Sequence, residues 1–526
     1  MFTIKPGDDI ENSDDVTHPD YYAYALLNEI KQRWDFIEQA ESYMSGDPVG
    51  TEYEPEEEKQ FEGLQQLREI SQTNWAKLIV SATTDRLGIL GFRSALSSGE
   101  TGDEVVERLF ERDAMGIKAQ EAMTLACAYR SAYLYVDPGS KRQKVLPPSN
   151  AAVMTDVFGE PVAAVVLLRD RVLSRDVLNL FVRETDEDTG EATGRCHMFV
   201  ATREFDDRQQ RTQIAAGYSL RLTQYDSEVP FNRAGIMSSW VWWKERIVDQ
   251  ERVPVTAITN KDGKNEFEDH FSIIDRINHM TLQRTVIATM QAFRQRGVKG
   301  NFRRRDEFGQ EIDYSDMFEA SPAALWMLPE GAEIWESSPT SFQEILNSVS
   351  KDIQDLASVT YTPMSYFSDS LNQSAQGANA QKENSIAKVE DRRRRFGSAW
   401  KRHISILLSV NGEKGRAEED SLEVIWGPIQ TYTLAEKTAA VTSLVGAGVS
   451  LRTALREGAF MTPSEIRRAE NERIEEMLSQ TLTSAIGTMT PLAKAKATQA
   501  TNLTPAKSES QKQQDQLAGK AEEGAQ

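Results

Sequence analysis

The spacing of apolar residues predicts a helix near the beginning of the chain. One helical face carries apolar side chains at offsets of three or four residues: Leu27, Ile30, Trp34 and Ile37. The turn-forming residues Ser45–Pro48 end this helix. Residues 1–24 and 486–526 are polar and have no apolar period. We therefore expect an acidic, disordered N-terminus and a disordered C-terminal tail.

Beyond the first helices, the pattern changes to the short alternating or wholly apolar runs that are typical of strands. These strand candidates are Tyr129–Val136, Ala151–Asp156, Val162–Leu168, Val177–Arg183, Cys196–Phe205, Gln213–Leu222 and Val253–Thr259. Helices come before them, at about residues 60–95 and 103–128. The pattern therefore predicts one large α+β unit over residues 25–268.

Two long helices are predicted on either side of a short insertion. The first covers about residues 269–296, ends at Gly297 and has a stripe formed by Ile273, Ile277, Met280 and Ile287. Because further apolar residues lie around this helix, we expect neighbouring subunits to bury it. The second begins with the capping box Ser341–Glu344. Its stripe contains Phe342, Ile345, Leu346, Val349, Ile353 and Leu356, and Pro363 ends it.

Residues 298–338 between these helices are mixed in character and contain Arg303, Arg304, Arg305, Trp326 and Trp335. They predict a small β-containing insertion. Helix, insertion and helix in this order suggest a projecting stalk with a tip. An ordinary helical hairpin with a decorated turn fits the same pattern, and the sequence leaves both interpretations open.

A polar segment rich in Ser, Asn, Gln and Ala at residues 363–382 predicts a flexible loop. A long charged helix follows at about 381–410, and another helical region covers 434–480. The long helix contains Arg392–Arg395, which point to all sides because four successive helical residues share no face. They either form ion pairs with Glu383, Glu390 and Asp391, or contact phosphate.

Composition narrows the possible functions. The net charge is −21, which should repel nucleic acid at long range, so any DNA contact should be local and weak; the acidity could also serve solubility alone. The longest apolar run, which contains Ala163–Leu168, is far shorter than the roughly 20 residues of a membrane helix. We expect no secretory signal. Two cysteines and five scattered histidines argue against a disulfide scaffold or a Cys/His metal site.

Sequence motifs for catalysis are absent. The chain has no Gly-x4-Gly-Lys-Ser/Thr, Gly-x-Gly-x-x-Gly, Gly-x-Ser-x-Gly or His-Glu-x-x-His motif. We therefore expect no enzymatic activity, no cofactor and no metal. A pair of catalytic carboxylates could still be present among the 81 acidic residues, so a metal-dependent nucleic-acid-processing enzyme stays open as an alternative.

Residues 360–410 carry the most informative motifs. They read Thr-Tyr-Thr-Pro-Met-Ser-Tyr-Phe, then Asn372–Ala375, Lys382–Asn384 and Phe396–Trp400. Other segments agree in order and spacing, among them Asn74–Val80, Val253–Asn260 and Ala447–Ile466. Over about residues 25–485 the chain resembles the portal protein family of long-tailed double-stranded DNA bacteriophages.

The resemblance implies a portal-type fold assembled as a ring of about twelve subunits around a channel. Its parts would be an α+β wing, a stem of two long helices, a β-containing clip, a tunnel loop and a helical crown. The implied boundaries are 25–268 for the wing, 269–297 and 339–362 for the stem, 298–338 for the clip, 363–382 for the tunnel loop, 383–429 for the long helix and following strand, and 430–485 for the crown.

The resemblance also implies function and partners. The ring would lie at one capsid vertex of the virion after assembly in the host cytoplasm, and the genome would enter and leave through it. Double-stranded DNA would be bound without sequence preference by tunnel-loop residues: Asn372, Gln373, Ser374, Gln376, Asn379 and Lys382.

The implied protein partners are the terminase large subunit, a head–tail connector, and the major capsid and scaffolding proteins. The terminase would supply ATP hydrolysis. Terminase and connector would dock on the clip arginines and tryptophans, and the two stem stripes would pack subunits together. A monomeric scaffolding or adaptor protein is a further alternative, and it predicts no ring.

Overall fold

The computed structural model describes residues 4–46, 62–94, 96, 102–170, 173, 175–185, 192–204, 236–237, 239–292, 296–300, 305, 308–311, 333–336, 342–367, 375–430 and 432–488. Contacts divide the chain into two compact units, residues 1–433 and 434–526. Helices and strands are mixed throughout the first unit, which confirms the α+β prediction.

The first predicted helix is confirmed as α1, Pro19–Ser45. His18 caps its beginning, where Nδ1 accepts a hydrogen bond from the backbone N–H of Asp20. Gly46 ends it in the left-handed conformation, φ 86°, which a glycine adopts without steric cost. The four residues of the predicted stripe are all buried.

The predicted disorder of residues 1–24 is wrong for the part that is described. Residues 7–10 run along the edge of a strand: Gly7 N donates to Trp242 O at 2.8 Å and Ile10 N donates to Trp240 O at 3.0 Å. The side chains of Ile4 and Ile10 pack against a buried cluster. Composition alone misses this order because the strand that pairs with the segment lies more than 200 residues later.

Four helices and three sheets complete most of the first unit. The helices are α2 (Glu62–Ser71), α3 (Trp75–Thr84), α4 (Glu104–Arg112) and α5 (Met115–Tyr129). A two-stranded sheet pairs β1 (Ile89–Arg93) with β12 (Glu423–Trp426). A three-stranded sheet has the order β3-β2-β9, formed by Gln143–Leu146, Ser131–Val136 and Val255–Thr259.

The largest sheet is antiparallel, with five strands in the order β4-β5-β6-β7-β8. Their bounds are Ala151–Thr155, Pro161–Asp170, Arg175–Thr185, Ala192–Glu204 and Val241–Val248. Most of the predicted strands are thereby confirmed; Gln213–Leu222 lies outside the described residues.

Both faces of this sheet are covered. Val165 and Leu167 pack in the cluster that includes α1, whereas Ala164 and Val166 pack with Tyr133 and other residues of the three-stranded sheet. Successive strand residues point to opposite faces of a sheet. Because both faces are covered here, β5 needs apolar residues at its odd and at its even positions. This explains why its sequence is a continuous apolar run and does not alternate.

The first long helix is α6, Phe271–Ala292, and the second is α7, Phe342–Val359. Between them, β10 (Arg296–Lys299) pairs antiparallel with β11 (Glu333–Glu336), and most of the predicted β-containing insertion lies outside the described residues. The predicted helix end at Gly297 is wrong, because Gly297 lies inside β10 opposite Trp335. Arg296, the last residue of the predicted helix, pairs with Glu336 of β11 instead.

The long helix after the polar segment, α8, covers Ala375–Asn411 and therefore begins about two turns earlier than predicted. In the second unit, α9 (Leu434–Gly446), α10 (Leu451–Ala459) and α11 (Pro463–Thr488) confirm the helical region. Thr462 and Glu465 form a capping box at the start of α11. The helix continues to Thr488, beyond the predicted start of the tail at 486.

Candidate functional site

The two predicted stem helices pack against each other within one chain. Ile277 of α6 and Leu356 of α7 are completely buried, and Val349 is almost so. Ile273, Met280 and Ile353 pack against the same cluster, while Ile287 and Ile345 are half-buried. Arg276 and Asp352 join the helices by an ion pair of 2.8 Å. The side chain of Phe342 lies outside the described residues.

This packing corrects one expectation. The stripes were assigned to contacts between subunits, but Ile277 and Leu356 are covered by their own chain. Another residue of the predicted stripe faces solvent in a single chain: Leu346 on α7 is 39% exposed. Packing of the stem between subunits therefore stays a prediction. Leu346 is the residue whose substitution tests it most directly.

A buried ionic cluster lies at the base of the two helices. Glu266, five residues before α6, has a side chain that is 2% exposed. Its carboxylate accepts hydrogen bonds from Arg392 Nε at 2.7 Å and from Asn260 Nδ2 at 3.0 Å, and it pairs with Lys388 Nζ at 2.8 Å. Burial raises the pKa of Glu266, but the two cations outweigh it and lower that pKa to about 2.

The same lysine reaches the other helix. Lys388 Nζ donates to the carbonyl oxygen of Thr360 at 2.9 Å, one residue beyond the end of α7. The chain reverses there through Tyr361, which has φ 54°. We call Glu266, Thr360, Lys388 and Arg392 the stem-base cluster. It ties the start of α6 and the end of α7 to one side of α8.

The residues Arg392–Arg395 were interpreted either as ion-pair partners on the surface or as phosphate contacts. Neither interpretation holds for all four residues. Arg392 is buried in the stem-base cluster, and Arg393 donates to the carbonyl oxygens of Arg86 and Gly427, both at 2.6 Å. Arg395 pairs with Asp391 at 3.0 Å on the surface, as one interpretation predicted. Arg394 is exposed and is the member of the run best placed to contact phosphate.

The burial of the Arg392 side chain was not predicted, although its position among apolar residues of α8 indicates it. Val389, Phe396 and Trp400 form an apolar face of α8, and all three are buried. Arg392 lies three residues after Val389 and four residues before Phe396, so it lies on the same helical face. A cation on an apolar helical face predicts a buried acidic partner.

The predicted DNA-contacting residues are divided by the start of α8. Asn372, Gln373 and Ser374 lie outside the described residues. Gln376, Asn379 and Lys382 lie in the first turns of the helix and not in a loop, and the side chain of Lys382 is exposed. The helix starts early because Ala375, Ala378 and Ala380 have the highest helix propensity. The assignment of 363–382 as a loop is therefore wrong from residue 375 onward.

The predicted docking residues of the insertion are only partly described. Arg305 is exposed and forms an isolated antiparallel bridge with Glu311, and Trp335 lies in β11. Arg303, Arg304 and Trp326 lie outside the described residues. Their role in docking stays a prediction.

None of the helices in the described part of the chain has an apolar stretch long enough to cross a bilayer. Within the same residues, no three His, Cys, Asp or Glu side chains come together in an arrangement that would hold a metal ion.

Residues 25–481 match the profile of a family described as phage portal protein, SPP1 Gp6-like. No curated protein matches the chain by sequence. Among solved structures, the chain is similar to a chain of "Neck of empty GTA particle computed with C6 symmetry", with 13% identity, a TM-score of 0.38, and coverage of 78% of this chain and 95% of that one. A likeness at this level supports no conclusion about function.

The family match places this chain among the structural proteins of bacteriophages. The profile match covers most of the chain, and this chain belongs to the phage portal protein family. Its function is that of a portal protein, and the family is structural and not enzymatic.

Proposed function

We propose that this chain forms a ring of about twelve subunits around a DNA channel at one vertex of the capsid. The genome enters the capsid through this ring during packaging and leaves through it at infection. The single observation that carries the proposal is the family match over residues 25–481. The helix–hairpin–helix segment with its ionic base supports it, because it supplies a stiff stalk of the kind that a channel wall needs.

The polar segment and the first turns of α8 line the narrowest part of the channel in this proposal. Asn372, Gln373, Ser374, Gln376 and Asn379 offer amides and a hydroxyl, and Lys382 adds one exposed cation in each subunit. Neutral donors bind phosphate more weakly than paired arginines do. A ring of such groups contacts DNA without holding it in place, as transport requires.

The insertion is the docking surface for the terminase large subunit and later for the head–tail connector. Arg303, Arg304, Arg305, Trp326 and Trp335 are of the residue types that dominate interface energies. ATP hydrolysis belongs to the terminase in this proposal. The major capsid and scaffolding proteins surround the ring, which assembles in the host cytoplasm and stays in the virion.

Native mass spectrometry and negative-stain microscopy test the assembly. We expect a closed ring with one dominant mass; a compact monomer at high concentration would contradict the proposal and favour an adaptor protein. Magnesium-dependent cleavage of DNA by the pure protein would favour the enzymatic alternative.

The channel assignment is tested separately, with particles assembled around Lys382→Ala. The control is Lys77→Ala, because Lys77 is also exposed but lies on α3. We expect both proteins to form rings, and only Lys382→Ala to change the amount or length of packaged DNA. Equal DNA content in the two particles would remove Lys382 from the channel.

A further inference from the structure

An open cleft of about 720 Å³ lies in the first unit, away from the stem. It is bordered by the end of the β4–β5 turn, the residues that follow β8, the second half of α8 and the loop after α8. Six carboxylates and three cations line it. The cleft is therefore strongly polar and has an excess of negative charge.

All three cations of the cleft are already paired. Arg402 contacts Glu160 at 2.5 Å. Arg252 contacts Glu419 at 2.5 Å, and Lys414 lies 3.7 Å from Asp249. The remaining three carboxylates have no ion pair among the described residues: Glu251, Glu418 and Asp420. The uncompensated charge thus belongs to identifiable, exposed side chains.

A buried amide borders the cleft and has an unsatisfied acceptor. Gln250 lines the cleft beside Glu251 and is 5% exposed. Its Nε2 donates to the carbonyl oxygen of Ile406, but its Oε1 has no hydrogen-bond partner among the described residues. An unsatisfied buried acceptor costs on the order of 1–3 kcal/mol. The groups that a ligand in the cleft can reach are the three exposed carboxylates, which are all acceptors, so the complementary ligand is a cation with N–H groups.

An exposed apolar tip belongs to the turn that borders the cleft through Glu160. Val157 and Phe158 in the β4–β5 turn are 93% and 89% exposed. The turn is held in one conformation because Asp156 Oδ1 accepts hydrogen bonds from the backbone N–H groups of Phe158 and Glu160, both at 2.9 Å. Glu160, which ends the turn, also lines the cleft. The apolar tip and the acidic cleft are therefore parts of one continuous surface.

We propose that this surface binds a basic segment of a partner protein, with a lysine or arginine side chain in the cleft and an apolar side chain against Phe158. A protein segment fits better than a small polyamine because it can cover the two exposed apolar residues of the tip. The negative charge of the cleft selects a cationic side chain of the partner segment. The apolar tip determines which residues of the segment lie against the cleft. This binding does not depend on DNA passing through a channel.

The test uses two synthetic peptides of twelve residues, one of alternating lysine and leucine and one of alternating lysine and serine. Affinity for the full-length protein is measured by fluorescence anisotropy in physiological salt, which screens long-range attraction to a chain of net charge −21. The cleft variant is Glu251→Gln, Glu418→Gln and Asp420→Asn. The control variant removes the same charge at three exposed carboxylates elsewhere: Glu69→Gln, Glu111→Gln and Glu475→Gln.

We expect the cleft variant to weaken binding of both peptides by about tenfold, and the control variant to change it by less than about twofold. Phe158→Ser should weaken only the lysine–leucine peptide. Equal losses in the cleft and control variants would show general attraction to an acidic protein and overturn the proposal. Spermidine binding as tightly as the peptides, with the same sensitivity to the cleft variant, would assign the cleft to a small polycation and would also overturn it.

Discussion

Arg392, in the middle of α8, donates its Nε to Oε1 of Glu266 at 2.7 Å, although 126 residues separate the two in sequence. Both side chains are buried, and Lys388 pairs with the same carboxylate. The pair lies where the two stem helices meet α8. The start of α6 and the end of α7 are therefore tied to α8 through one buried anion and its two cations.

Replacing Glu266 by Gln should destabilise the first unit strongly. The variant leaves Lys388 buried without a counter-charge and leaves Arg392 with the partly exposed Asp391 as its remaining ion-pair partner, which costs about 3–5 kcal/mol. Glu423→Gln is the matched control, because Glu423 pairs with Arg93 on the surface and is 59% exposed; its loss should cost at most about 1 kcal/mol. Urea unfolding measures both. Equal losses would mean that the cluster contributes no more than a surface ion pair.

The depressed pKa of Glu266 predicts acid sensitivity. The folded-state pKa is about 2, below the ordinary value of 4.5, so the unfolded chain binds a proton more readily between these values. The contribution of Glu266 is complete above about pH 5, and about 3 kcal/mol of it is lost as the pH falls toward 2. Unfolding free energies measured along this range should fall more steeply for the wild type than for Glu266→Gln. Parallel curves would contradict the assignment.

A second acid-sensitive group acts at higher pH. His403 is completely buried, and burial lowers its pKa from 6.5 to about 3, against the opposing charge of Asp113. Its Nε2 lies 2.9 Å from Gln143 Oε1. A neutral imidazole with its proton on Nε2 donates a hydrogen bond to that oxygen. Between about pH 6.5 and 3 the unfolded chain takes up a proton that the folded chain excludes, so stability falls as the pH drops.

Between pH 7 and pH 5 this histidine should reduce the free energy of unfolding by about 2 kcal/mol. Replacing His403 by Met together with Gln143 by Leu removes both the titrating group and the acceptor that it would leave unpaired. The double variant should lose most of the slope between pH 7 and 5, whereas Glu266→Gln should keep it. An unchanged slope in the double variant would place the acid sensitivity elsewhere.

Two leucines of α7 allow the stability of the single chain and the formation of the ring to be tested separately. Leu356 has no exposed surface within its own chain, so Leu356→Ala should cost about 2–5 kcal/mol of chain stability. Leu346 on the same helix is 39% exposed, so Leu346→Asp should leave the fold intact and weaken the proposed ring. Circular dichroism reports the first effect and native mass spectrometry the second. Intact rings with Leu346→Asp would exclude Leu346 from the subunit interface.

The sequence by itself determined the features that depend on local periodicity. The apolar stripes of α1 and α7 and the runs of β5 and β6 follow from residue spacing, and the structure has them nearly where they were predicted. The order of motifs between residues 360 and 410 was enough to indicate the family. Periodicity works for these elements because the face that must be buried is visible in any window of one or two turns.

Tertiary structure alone decided the features whose hydrogen-bond or charge partners are distant in sequence. Gly297 joins a strand because residues near Trp335 pair with it, and residues 7–10 are ordered because β8 offers a free edge. Arg392 is buried and not solvated because Glu266 arrives from another segment. In each case a backbone group or a charge must be satisfied, and no window of the sequence shows which distant group does so.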